Sequence, residues 1–156
     1  MALILRDNKI MNFHTDLYEI IEPFKDNFRE LNWLLTEQEY ILLDYEQKGK
    51  VEKLNHDSKK IEFTGDELYE TIKNREIQFI WGVFCGFNGT IPDLVVNELP
   101  YADLNPDIWK RPDKKLVKGS VIEIICFDSS STILKTKNNK IKKLFGEKFP
   151  EAIKMK

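Results

Sequence analysis

The sequence predicts an α+β domain, in which helices pack on a largely antiparallel sheet of about five strands. Three observations predict this class: two apolar runs typical of buried strands, at Ile77–Phe87 and residues 120–127, a helical spacing of apolar residues over 17–28, and a helix-start signature at residues 64–67. Helices therefore alternate with strands and hairpins along the chain. Such an order favours helices that cover one antiparallel sheet.

The chain has the size of a single domain. Its 156 residues are 42% hydrophobic and 12% aromatic, which is enough for a core without disulfide or metal support. Neither an internal repeat nor a linker rich in Gly, Ser or Pro divides the sequence. We predict one domain over residues 1–156, in which residues 1–10 are a loosely ordered leader before Met11 or contain an edge strand at residues 2–5.

The net charge of −2 is distributed unevenly, with −6 in residues 1–78 and +4 in residues 79–156. Such asymmetry steers a partner of opposite charge, unless the two halves interleave in space and their fields average out. A nucleic-acid-binding protein normally has a stronger basic excess, so we expect no nucleic-acid partner. We interpret the lysines around the last predicted helix as a solvated face: Lys135, Lys137, Lys140, Lys142, Lys143 and Lys148.

The first half of the chain begins with a predicted helix over residues 17–28. This helix ends or kinks near Glu22, because Pro23 removes a helical hydrogen bond and disfavours helix for the residue before it. Two strand-like runs follow, residues 30–35 and 40–45, and we predict that they form a hairpin through the polar residues 36–39.

An exposed loop with little contribution to the core is predicted over residues 47–60. Thr64 and Glu67 then form a capping box, in which each side chain accepts from the other residue's amide. The helix that they begin is expected to end at Asn74.

The run Ile77–Phe87 is predicted to be a central strand, in which Gly82 and Gly86 mark a bulge or a close backbone approach. A short helix from residue 90 and a long irregular segment over residues 100–118 follow.

A second central strand at residues 120–127 is predicted to turn at residues 128–130 and to return along residues 132–136. Asn138 or Asn139 caps the last helix.

Cys85 and Cys126 lie in apolar runs, where cysteine behaves as a small buried hydrophobe. The sequence contains no CxxC, HxxH or HExxH spacing, so we predict neither a metal site nor a cofactor. It also contains no secretory signal and no apolar stretch near the roughly 20 residues that span a bilayer. We expect a cytoplasmic protein without a membrane partner.

Two groups of residues are candidates for catalysis. Cys85 could act with His14 or His56, although inert packing of Cys85 among aromatic residues is the favoured interpretation. Asp128, at the end of a strand and followed by serines, could serve a small hydrolase or nucleotide-processing enzyme; a tight turn explains the same residues. The GxSxG motif and glycine-rich phosphate loops are missing from the sequence. We therefore favour the interpretation that the protein is not an enzyme.

The segment after Pro100 is the main candidate for contact with a partner. It is a long loop in which aromatic and apolar residues lie among acidic residues. Long loops in compact domains tend to be functional or disordered. Tyrosine and tryptophan are enriched at protein-interface hot spots. The predicted contact residues are Tyr101, Asp103, Leu104, Asp107 and Trp109. For Trp109 the alternative is that it folds back and seals the sheet edge.

The run IQFIWGVFCGF, the proline-punctuated loop, the run VIEIICFDSSSTILKTK and the closing helix that ends in FPEA resemble small bacterial proteins grouped with the immunity proteins of polymorphic toxin systems. The resemblance covers most of residues 15–152 and rests on the WGVF and FDSS segments and on element order. It implies a protein that binds a toxin made by the same cell and blocks its active site. Toxins of this kind are often basic nucleases, which would suit the acidic first half.

Overall fold

The computed structural model describes residues 2–6, 11 and 15–156, and its centre is one seven-stranded antiparallel sheet. The strands in chain order are β1 (Ala2–Leu5), β2 (Asn32–Leu42), β3 (Lys60–Thr64), β4 (Ile77–Phe87), β5 (Ile122–Phe127), β6 (Ser131–Thr136) and β7 (Ile153–Lys154). Across the sheet their order is β3-β2-β4-β5-β6-β1-β7. The predicted α+β class is confirmed, and the sheet is larger than the five strands expected.

Short helices connect the strands. They are α1 (Leu17–Ile21), α2 (Lys25–Arg29), α3 (Tyr45–Lys48), α4 (Gly65–Lys73), α5 (Asp107–Lys110) and α6 (Asn139–Lys148), with 3-10 turns at Glu22–Phe24 and Val96–Glu98. The predicted capping box is confirmed, because the Glu67 amide donates to Thr64 Oγ1 (3.1 Å) and the Thr64 amide donates to Glu67 Oε1 (3.0 Å). Asn138 caps α6, and α1 ends before Pro23 as expected.

The predicted hairpin over residues 30–45 is wrong, because these residues contain the single strand β2. The polar residues 36–39, which resemble a turn in the sequence, form an irregularity at which the register against β4 shifts and Glu37 adopts a φ of +50°. A β-bulge adds a residue to one strand and interrupts the alternation of its side chains, as a turn does. The sequence pattern alone did not distinguish the two.

Strand β1 lies near the end of the sheet that is opposite to β3. It pairs with β6 along its whole length and with β7 on its far side, and three of its four side chains are buried. The strand interpretation of residues 2–5 therefore replaces the leader interpretation there, although β1 is not at the edge. Residues 7–10 lie outside the described residues.

One face of the sheet, called here the helix-covered face, packs against α1, α2, α4 and α6. The Trp33 indole N–H donates to the Phe28 carbonyl (2.9 Å), and the two rings stack 4.5 Å apart. A Cβ atom at Gly86 would lie 2.9 Å from the Trp33 ring, which confirms the predicted close approach. Val51 and Leu54 are also buried in this core, so the expectation that residues 47–60 contribute little to it was wrong.

The opposite face, called here the segment-covered face, is covered by residues 88–121, which connect β4 to β5. This connection, the covering segment, buries Ala102, Ile108 and Val117 against the sheet. The helix predicted from residue 90 is absent apart from the 3-10 turn at Val96–Glu98. Proline before and after this stretch and two β-branched valines within it oppose helix formation.

The two cysteines lie on adjacent strands but on opposite faces. Cys85 belongs to the segment-covered face and Cys126 to the helix-covered face. Both are buried free thiols, which confirms the prediction that they pack as small hydrophobes. Because the sheet separates them, they do not form a disulfide with each other.

Candidate interaction surface

The residues predicted to contact a partner all lie in the covering segment. Among the described residues, nine large hydrophobic side chains are exposed, and five of them lie between residues 95 and 109. These five are Val95, Val96, Tyr101, Leu104 and Trp109. Single exposed hydrophobic residues are common on protein surfaces, so their concentration in one segment of the chain, and not their mere presence, makes this segment the candidate.

Leu104 is the most exposed of these side chains, at 92%. Its backbone adopts a φ of +59°, which is unfavourable for a residue with a branched side chain and is normally occupied by glycine, asparagine or aspartate. Exposure removes the packing that would offset this strain. A strained conformation that stability does not explain is a feature of functional sites.

Strand β2 holds the turn that presents Leu104. The carboxylate of Glu37 accepts from the backbone amides of Ala102 and of Asp103, the latter at 2.8 Å. Beside it, the Thr36 hydroxyl donates to the Pro100 carbonyl (2.8 Å). Burial raises the pKa of Glu37, and the two amides act in the opposite direction. The bulge in β2 thus aims a carboxylate at the backbone of the covering segment.

Asp107 is engaged by cations of its own chain. Its carboxylate accepts from Arg111 at 2.6–3.0 Å and from Lys114 at 3.1 Å. Arg111, and after it Lys114, lowers the pKa of this carboxyl. Asp103 is exposed, so of the two predicted acidic contacts Asp103 is the one whose carboxylate is better placed to meet a partner.

Trp109 combines the two alternatives given for it from the sequence. Its ring packs edge-on against Phe127 at 5.0 Å, and Trp81 also packs edge-on with Phe127, at 4.7 Å. The Arg6 guanidinium lies 5.8 Å from the Trp109 ring centre, and 39% of Trp109 remains exposed. Sequence reasoning missed Trp81 and Phe127 as neighbours of this surface, because both lie in runs that are typical of strands buried on both sides.

A buried polar cluster lies beneath the other end of the covering segment. Glu123 is fully buried, and its carboxylate accepts from the amides of Leu116 and Val117 and from the Ser120 hydroxyl, each at 2.9 Å. The cross-strand neighbour of Glu123 is Lys135, whose ammonium donates to the Lys114 carbonyl (2.8 Å).

Lys135 is 3% exposed, which corrects its assignment to the solvated face of the last helix. Burial lowers the pKa of its ammonium, and Glu123 opposes this shift. Cys85 also borders the cluster, with its thiol 3.7 Å from Glu123, and burial raises its pKa. A thiol held protonated in this way is a poor nucleophile, in agreement with the inert interpretation.

Asp128 occupies the turn between β5 and β6. Asp128 and Ser129 have φ values of +49° and +56°, and the Ser129 amide donates to the Ile80 carbonyl (2.9 Å). The turn interpretation of these residues is therefore confirmed. Of the other candidates for chemistry, His56 stacks on Tyr40 at 4.1 Å, and His14 lies outside the described residues.

No group of three or more His, Cys, Asp or Glu side chains that could hold a metal ion occurs among residues 2–6, 11 and 15–156. None of the helices described there is long and apolar enough to cross a bilayer.

Comparison with known proteins gives no relative: no family model, no curated protein and no solved structure matches this chain.

Proposed function

We propose that this protein is a non-catalytic binding protein of the immunity type, which binds and neutralises a cognate toxin through the covering segment. The observation that carries the proposal is Leu104, a strained and almost fully exposed leucine at the tip of a turn that two side chains of β2 hold in place. Burial of such a side chain in a partner offsets the free energy that its exposure and strain cost the isolated protein. The sequence resemblance to immunity proteins supports the nature of the partner.

The surface around Leu104 offers both a protrusion and a recess. Tyr101 stands beside a pocket of about 210 Å³ that is also lined by Asn105, Lys114 and Lys115. Hot spots of protein interfaces commonly consist of an aromatic anchor next to a pocket that accepts a side chain of the partner. Tyr101 and Leu104 are therefore the proposed centre of the contact, with Trp109 at its side.

The cytoplasm is the proposed location of the protein. A toxin made in the same cell would be neutralised there.

Co-purification tests the proposal directly. The tagged protein is expressed with the product of the gene immediately upstream, and a stoichiometric complex that relieves growth inhibition is expected. Leu104→Asp and Tyr101→Ala are expected to raise the Kd at least about tenfold, which corresponds to about 1.4 kcal/mol. Tyr45→Ala is the matched control, because Tyr45 has an exposure of 59%, close to the 52% of Tyr101, but lies outside the covering segment.

The proposal is contradicted by two results. One is an upstream product that is harmless and does not bind. The other is a complex that Tyr45→Ala weakens as much as Tyr101→Ala does, since contact would then not be centred on the covering segment.

A further inference from the structure

The covering segment has little secondary structure of its own, yet its backbone is held at two separate places by buried or half-buried carboxylates. Apart from α5 and one 3-10 turn, residues 88–121 form no helix or strand. The amide groups of such a segment need other acceptors when they are covered. Glu37 supplies acceptors near residue 102, and Glu123 supplies them near residue 116.

The attachment at Glu37 uses both carboxylate oxygens. One oxygen accepts from the Ala102 amide and the other from the Asp103 amide. Leu104 follows directly, so its position depends on these two hydrogen bonds. Glu37 itself sits at a φ of +50°, so the β-bulge stores strain at the residue that makes the attachment.

The attachment at Glu123 is denser. Its carboxylate receives hydrogen bonds from Leu116, Val117 and Ser120 at 2.9 Å, and its neighbour on the adjacent strand is the buried Lys135. Lys135 in turn holds the Lys114 carbonyl. A buried carboxylate therefore accepts from the amides of Leu116 and Val117, while a buried ammonium donates to the carbonyl of Lys114.

We infer that Glu37 and Glu123 are positioning residues, which hold the covering segment in the conformation that binds the partner. This inference rests on the proposed function, because it assigns a role to two residues that do not belong to the exposed surface. A segment that is ordered before binding loses less conformational entropy in the complex, so its affinity is higher. Loss of either carboxylate lowers affinity through this route while the contact residues stay unchanged.

Amide hydrogen exchange of the free protein, resolved by residue with NMR, tests the attachments without any partner. Glutamine preserves the size of the side chain but replaces one acceptor oxygen with an NH₂ donor. Glu37→Gln is expected to accelerate exchange at Ala102 and Asp103 at least about tenfold, and Glu123→Gln to do the same at Leu116 and Val117. Glu39→Gln is the matched control, because Glu39 is exposed on the same strand.

Ser120→Ala is a milder second variant for the Glu123 site, since it removes one hydroxyl, whose hydrogen the Glu123 carboxylate and the Val117 carbonyl share at 2.9 Å. It keeps the test decisive if Glu123→Gln does not fold, and it is expected to accelerate exchange at Leu116 and Val117 alone. Unchanged exchange at the named amides would overturn the inference. So would uniform acceleration over all amides, because that would indicate a general loss of stability instead of a local release.

The same variants are then titrated with the partner. Glu37→Gln is expected to raise the Kd at least about fivefold, with Glu39→Gln unchanged. If local exchange accelerates but affinity is unaffected, the positioning role is overturned although the attachments exist. If no partner is found, the exchange experiment still decides whether the carboxylates hold the segment, so failure of the proposed function is distinguishable from failure of this inference.

Discussion

The two faces of the sheet are covered in different ways. On the helix-covered face, helices satisfy their own backbone hydrogen bonds, so the layer between them and the sheet is built from apolar contacts such as Trp33 with Phe28. On the segment-covered face, the irregular backbone of the covering segment requires polar partners from the sheet, and Thr36, Glu37 and Glu123 supply them. The difference shows why charged residues occur inside one core and are rare inside the other.

Substitution of two adjacent isoleucines in β5 tests how firmly each face is covered. Ile124 and Ile125 are both fully buried, the first on the helix-covered face and the second on the segment-covered face. We expect Ile124→Ala and Ile125→Ala each to lower the free energy of unfolding by roughly 2–5 kcal/mol, because each leaves a cavity in a packed layer. Urea denaturation of both variants measures this. A loss below about 1 kcal/mol for Ile125→Ala alone would mean that the covering segment is not tightly packed against the sheet.

Just after β2, the ion pair between Asp44 and Arg75 stabilises an irregular region through charge instead of apolar packing. Arg75 donates to both Asp44 oxygens at 2.9 Å and to the Lys50 carbonyl, and the pair is nearly buried, with side-chain exposures of 12% and 8%. Asp44→Asn is expected to lower the free energy of unfolding by roughly 2–4 kcal/mol, because it leaves the nearly buried guanidinium of Arg75 without a negatively charged partner. Thermal or urea unfolding at pH 7 measures the loss, with exposed Glu46→Gln as the control.

The same ion pair predicts a pH dependence. Arg75 lowers the pKa of Asp44 from its ordinary 3.8 to about 2. The unfolded protein therefore binds a proton at this site before the folded protein does. Its contribution to stability is complete above pH 3.8 and is lost as the pH falls towards 2. Unfolding curves of wild type and Asp44→Asn are expected to converge over this range, and a constant difference down to pH 2 would contradict the assignment.

The two cysteines report local opening of each face. Burial raises the pKa of both thiols, so neither is reactive while it is covered. If the covering segment opens more readily than the helical layer, Cys85 is exposed by local opening and Cys126 only by wider unfolding. We expect alkylation of Cys85 to be at least about tenfold faster, measured by mass spectrometry of the peptides over time. Equal rates would indicate that both faces open together.

The smallest expected effect concerns Leu104. Glycine adopts a positive φ without strain, so Leu104→Gly is expected to raise the free energy of unfolding by up to about 1 kcal/mol, even though a side chain is lost. Leu104→Ala retains the strain and is expected to change it by less than about 0.5 kcal/mol. Chemical denaturation compares the two. A clear loss of stability in both variants would show that Leu104 packs in the free protein.

The sequence was informative wherever a local pattern determines the structure. The Thr64–Glu67 capping box, the buried run of β4 and the turn at Asp128 depend on neighbouring residues, and all three are confirmed. The hairpin over residues 30–45 failed because a bulge and a turn interrupt the same alternation. For β1 the sequence predicts a strand only as one of two alternatives, since its pairing partner β6 lies more than a hundred residues away.

The sequence predicts the contact surface only in part. Tyr101, Leu104 and Trp109 could be selected because aromatic and apolar residues in a long loop are unusual. The positive φ of Leu104 and the attachments at Glu37 and Glu123 could not, since they arise from contacts between distant segments. One signal was present: Glu123 is the single charged residue inside the apolar run of β5, and an isolated charge at such a position calls for a partner.

The position of β1 between β6 and β7 has a consequence for synthesis of the protein. Leu5 pairs with Thr132, and Ile4 pairs with Ile153, so β1 leaves the ribosome long before the strands on either side of it exist. At a translation rate of about 5–20 residues per second, roughly ten seconds pass between the synthesis of β1 and that of its neighbouring strands. Such distant pairings also slow the search for the native topology. The sheet is therefore expected to close around β1 only once β6 and β7 have been synthesised.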